Sequence, residues 1–117
     1  MLKLENTPMS DMVSALASGQ VTATALTDGY LARIEAYDRN GPMLNSVREL
    51  NPDALTIAGK LDATKPSVKR PLAGIPILVK DNIATGDKQP TTAGSLRWRV
   101  RAPSCLPTSR TSIDRPL

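Results

Sequence analysis

The stretch RPLAGIPILVKDNIATGDKQPTTAGS, Arg70 to Ser95, decides how this chain is read. At its centre Lys80 closes the apolar run Ile75-Pro76-Ile77-Leu78-Val79. Ile77, Leu78 and Val79 show no polar alternation, which is the pattern of a strand covered on both faces by helices. Pro76 has no backbone donor and belongs at the start of such a strand rather than in its middle. A lysine closing it has two readings. Either the stem lies along apolar surface while the ammonium reaches water, or burial strips the ammonium of hydration. In the second case the amine is pushed toward the neutral form that acts as a base.

C-terminal to Lys80, Asp81-Asn82 turns the chain through local hydrogen bonds, and Thr85-Gly86-Asp87-Lys88-Gln89-Pro90 forms a turn-rich loop before Thr91-Thr92-Ala93-Gly94-Ser95. N-terminal to it lie three helical patterns. Ser10 is the expected N-cap of the first, Met12, Val13, Leu16 and Ala17 form its apolar stripe, and Gly19 stops it. The second follows Thr22 or Thr24 as cap. Ala23, Leu26, Tyr30, Ile34 and Tyr37 recur at spacings of three and four, with Asp28, Arg33, Glu35 and Asp38 on a solvated face. Asn40-Gly41-Pro42 closes it. A weak strand is expected within Met43–Leu50. Asn51 as N-cap and Pro52 at the first helical position then open a third helix through about Ala63, with Leu55, Ala58 and Leu61 on its apolar side.

At 117 residues the chain has room for one small domain. It contains no histidine, which excludes Ser-His-Asp and Cys-His catalysis within it and removes the commonest metal ligand. Cys105 is the single cysteine, so no internal disulfide or thiolate zinc site forms. No metal and no cofactor are expected. No signal peptide and no run of about 18 apolar residues is present, so the expectation is a soluble, cytoplasmic protein that is not a membrane partner. The net charge of +4 lies entirely in the tail. Residues 1–96 carry ten basic and ten acidic side chains, whereas 97–117 set five arginines against Asp114. This is a break in composition rather than a basic face, so nucleic acid is not the expected partner. The tail has three prolines and no glycine and reads as disordered.

Leu72 to Asn82, followed by Pro90-Thr91-Thr92-Ala93-Gly94-Ser95, closely resembles the N-terminal part of the amidase signature family. Gly19–Thr22, Tyr30–Asp38, Leu44–Val47, Asn51–Leu55 and Leu61-Asp62 resemble that family's opening segments in kind and order, so the likeness covers roughly residues 9–96. It implies an α/β fold: the N-terminal fragment of a mixed-sheet domain, with helices around an incomplete sheet over 1–96 and a basic Pro/Arg-rich tail over 97–117. It also implies hydrolysis of a small-molecule amide at its C–N bond by a serine, a second serine in a cis peptide, and a lysine. By position Lys80 matches the catalytic lysine.

The family's glycine- and serine-rich signature, which carries both serines, does not occur in this sequence. Ser95, Ser104, Ser109 and Ser112 do not match the nucleophile's motif and receive no role. The expectation is therefore an amidase-family fragment, inactive alone. The abrupt change at Arg97 points to a frameshift near codon 97, a reading that translation of the gene in its other frames decides. The alternative is a non-catalytic binding fragment whose arginine tail contacts nucleic acid or acidic surfaces.

Overall fold

In the computed structural model, described here for residues 4–64, 70–83, 85 and 87–94, the chain divides into two compact units, Met1–Leu78 and Val79–Leu117. The first holds α1 (Met9–Ala17), α2 (Ala23–Arg33), a π-helical continuation (Ile34–Arg39) and α3 (Ala54–Asp62). The tail from Arg97, with its predicted disorder, lies outside the described residues. No helix among the described residues is long and apolar enough to cross a membrane.

The first helix starts earlier than its sequence suggests. Its ladder begins at the Pro8 carbonyl, which accepts from Asp11 N at 3.1 Å and Met12 N at 3.2 Å. Ser10 is therefore inside the helix and is not its N-cap; Pro8, which has no donor to satisfy, takes that place. Met12 and Ala15 are the residues it buries, with Val13 and Leu16 half-buried. Gly19 stops it at φ +71°, its N–H donating to Leu16 O.

In α2, Thr22 is the N-cap as expected, its Oγ1 accepting from Ala25 N at 3.1 Å. Ala23 and Leu26 are buried, and Leu26 has no exposed surface at all. Gly29 lies where Leu4 crosses the helix, since a Cβ there would stand 2.6 Å from Leu4 Cδ1. Tyr30 spans both neighbours: its hydroxyl donates to Leu4 O at 3.4 Å and lies 3.7 Å from Met12 Sδ. Arg33 pairs with Glu5 at 2.8 Å and sits 5.3 Å from the Tyr37 ring centre.

Over Ile34–Arg39 the helix widens, with Asn40 N donating to Glu35 O, five residues back. Here two expectations fail together. Asp38 is not on a solvated face but is 4% exposed. Its carboxylate accepts from Ser46 N at 2.7 Å, Ser46 Oγ at 2.5 Å and Val47 N at 3.2 Å. The donors that a strand at Met43–Leu50 would offer to a neighbour are thus taken by the helix end, with Asn45 N on Asp38 O and Leu44 N on Tyr37 O. No strand forms there.

A turn opens α3. Asn51 Oδ1 accepts from Asp53 N at 2.9 Å and Asn51 O from Ala54 N at 3.1 Å, so Asp53, not Asn51, is the N-cap. Ala58 is buried, while Leu55 and Ile57 stay exposed. α3 packs on α2, and its last residue locks the pair. The Asp62 carboxylate accepts from Ala23 N at 2.6 Å, Thr24 N at 2.9 Å and Thr24 Oγ1 at 2.6 Å, filling the donor-rich N-terminus of α2.

Among the described residues there are helices but no strand, so the expected incomplete sheet is not built by them. Ile75–Lys80 runs without helix, turn or ladder, because no described segment offers it a paired backbone.

Candidate active site

The segment carrying Lys80 is anchored at its start by a tight turn. Ala73 N donates to Arg70 O at 3.1 Å and Ile75 N to Leu72 O at 3.2 Å. Gly74 turns the chain at φ +90°, where a Cβ would meet Ala23 Cβ at 3.0 Å and Leu16 Cδ1 at 3.7 Å. Only glycine combines that backbone angle with so close an approach to α1 and α2. Beside this turn the first unit carries a groove of about 280 Å³, lined by Gly74–Ile77 and by Thr27, Asn51, Ala54, Ile57, Ala58 and Leu61. Its lining is mostly apolar and includes no ionisable side chain.

Beyond the turn, Ile77 is 67% and Leu78 77% exposed, and Lys80 is exposed as well. The burial that the apolar run led one to expect around Lys80 is absent, because nothing among the described residues covers Ile77–Val79. Lys80 stands in the second unit, which begins at Val79. Among the described residues no serine nucleophile stands with it, and Ser95, Ser104, Ser109 and Ser112 lie outside them. No group of His, Cys, Asp or Glu among the described residues is arranged to hold a metal ion.

What the structure does gather near Lys80 is a hydrogen-bonded closure. Ile83 N donates to Lys80 O at 2.9 Å, making Lys80–Ile83 a turn. The Asp81 carboxylate accepts from Thr92 N at 3.0 Å, Thr92 Oγ1 at 2.5 Å and Gly94 N at 3.3 Å, while Asp81 O accepts from Ala93 N at 3.1 Å. Thr92 is only 2% exposed.

Three aspartates thus serve as clasps that sequence reading did not single out. The Ser46 hydroxyl, with the Ser46 and Val47 amides and nearby Arg39, holds the Asp38 carboxyl below its ordinary 3.8 against the opposing effect of burial. The Thr24 hydroxyl, with the Thr24 and Ala23 amides, does the same for Asp62. Ser46 and Thr24, small hydroxyl residues beside backbone donors, were the only local signal; their distance in sequence from the carboxylates hid it.

The Amidase family profile matches residues 25–105. The chain is 38% identical over 118 aligned residues to the A-chain component of a glutamyl-tRNA(Gln) amidotransferase from Chloroflexus aurantiacus, covering 98% of this chain and 23% of that protein. It is 44% identical over 87 residues to the corresponding amidotransferase component of Renibacterium salmoninarum, covering 72% and 16%. Among solved structures, the peptide amidase of Stenotrophomonas maltophilia superposes with a TM-score of 0.70 at 43% identity, over 79% of this chain and 19% of that one. The chain therefore spans less than a quarter of the length of these relatives. With a family match across most of its residues, and with a backbone that superposes on a solved peptide amidase, the chain belongs to the amidase family.

Proposed function

We propose that this chain is the lysine-bearing segment of an amide C–N hydrolase and that Lys80 is the base of its Ser–cis-Ser–Lys relay. The observation that carries the reading is the position of Lys80 at the end of Gly74–Val79 inside the matched span 25–105. In that chemistry the neutral Lys80 amine accepts a proton from a bridging serine hydroxyl, which takes one from the nucleophilic serine. The nucleophile's oxygen bonds to the amide carbon and the carbonyl pair moves onto oxygen. Collapse breaks the C–N bond, the proton returns through the bridging serine to the departing amine, and water releases the acid from the acyl-enzyme. The substrate is a small-molecule amide, and the relay needs neither metal nor cofactor.

Within the complete catalyst Ile75–Val79 is a strand of an α/β sheet, where coverage of its apolar side chains desolvates the lysine beside them. The 117 residues, lacking the serine-rich signature, do not turn over amides by themselves.

Two measurements test this. In a chimera where residues 9–94 replace the equivalent fifth of the Stenotrophomonas peptide amidase, peptide-amide hydrolysis should persist. It should fall by about 10²–10⁴-fold on Lys80→Ala, the span of general-base contributions. A chimera indifferent to Lys80→Ala overturns the role of Lys80. For the chain alone, hydrolysis of simple amides that vanishes on Lys80→Ala overturns the inactivity.

A further inference from the structure

Thr91–Gly94 contains the most strained backbone near Lys80. Ala93 has φ +46° and Gly94 φ +82°, two successive residues in the left-handed region, where a residue with a Cβ sits at a cost of about 1 kcal/mol or more. In the same place Thr92 is almost wholly buried, although Lys80, Asn82, Ile83, Ala93 and Gly94 around it in sequence are exposed. A buried hydroxyl and a left-handed pair persist only where specific bonds hold them. Those bonds converge on one residue. Asp81 receives Thr92 N, Thr92 Oγ1 and Gly94 N on its carboxylate and Ala93 N on its carbonyl. The left-handed pair is what turns the amides of residues 93 and 94 toward Asp81.

The residue so engaged is the one after Lys80 and part of the Lys80–Ile83 turn. We infer that Asp81 is a positioning residue for Lys80: with Thr92 it ties the 92–94 turn to the lysine's own turn and holds the Lys80 backbone in one orientation. Lysine has a long side chain with four rotatable bonds, and a relay needs its amine placed within about 0.5 Å. A fixed backbone removes the first source of error in that placement. The role assigned to Asp81 rests on the reading of Lys80 as base, whereas the clasp itself does not.

The test is ¹⁵N NMR on the 117-residue chain at pH 7, comparing wild type with Asp81→Ala, Thr92→Val and Thr92→Ser. In the wild type the amides of Thr92, Ala93 and Gly94 exchange at least tenfold more slowly than in an unstructured peptide, and the Lys80 amide has an order parameter near the rigid value of about 0.85. In Asp81→Ala the protection at 92–94 is lost and the Lys80 order parameter drops toward about 0.6. Thr92→Val gives the same change in weaker form, and Thr92→Ser, which keeps the hydroxyl, restores wild-type values.

Unprotected amides at 92–94 in the wild type overturn the clasp. Loss of protection in Asp81→Ala with an unchanged Lys80 order parameter overturns the positioning role and leaves a purely structural one. Failure of the base reading has a separate signature: a chimera that hydrolyses amides equally well with Lys80→Ala, while Asp81 still orders Lys80 in the chain.

Discussion

Asp62 carries out at one position what the N-terminus of α2 needs and no neighbouring residue supplies. Thr22 satisfies one of the orphan amides, that of Ala25, and Asp62 reaches across from the end of α3 to take those of Ala23 and Thr24. Its charge also lies at the positive end of the helix. By analogy with cap deletions, Asp62→Ala should cost about 1 kcal/mol, at the lower end of their range because the carboxylate is solvent-accessible. The pH dependence has a definite sign. With the folded carboxyl below its ordinary 3.8, the clasp adds stability that is fully present above that value and is lost as pH falls through the lower, folded value. The same holds for Asp38. The melting temperature should therefore be level from pH 7 down to about pH 4 and decline below it. Asp62→Asn and Asp38→Asn should each flatten part of that decline. A melting temperature that is level to pH 2.5, or that falls equally steeply in both variants, contradicts the assignment.

The helices were largely legible from residue order, because their signals are local. The spacing of Ala23, Leu26 and Tyr30, the Thr22 cap and the stops at Gly19 and Gly41 all depend on residues within a turn or two of one another. The misses came where distant residues compete for the backbone. Asp38 takes the amides of Ser46 and Val47 that a strand would have used, and Asp62 finds its partners 38 and 39 residues away. The apolar run at Ile75–Val79 was the reverse case. Its pattern is one that wants burial, but pattern alone carries no information on whether the covering elements are at hand. Leu78 at 77% exposure is the result. An apolar, uncharged stretch with unpaired backbone is a template for association between copies. Leu78→Lys should cut light scattering at micromolar concentration several-fold while leaving the helical circular dichroism signal unchanged; undiminished scattering places the association elsewhere.

For the whole chain the balance of terms is narrow. The buried apolar side chains among the described residues are Met12, Ala15, Ala23, Leu26 and Ala58, and three of these five are alanines. Full burial of a leucine or methionine contributes about 1.5–3 kcal/mol, an alanine much less, against an ordering cost of about 1–2 kcal/mol for each backbone residue fixed. Large apolar side chains meanwhile remain in water, with Leu55, Ile57, Leu72, Ile77 and Leu78 all exposed. The clasps at Asp38, Asp62 and Asp81 hold local geometry, but a net hydrogen bond adds only about 1 kcal/mol and does not replace a core. The chain should consequently be helical yet weakly stable. In urea at 25 °C, followed by far-ultraviolet circular dichroism, we expect an unfolding free energy below about 5 kcal/mol, the lower bound of ordinary domains. The denaturant slope should be at or below about 1 kcal/mol/M, since little apolar surface is left to expose. A steep cooperative transition with a larger free energy would mean that the chain buries Ile77, Leu78 and their neighbours in solution, most directly against a second copy. In that case the midpoint should rise with protein concentration, as stability coupled to association does by mass action.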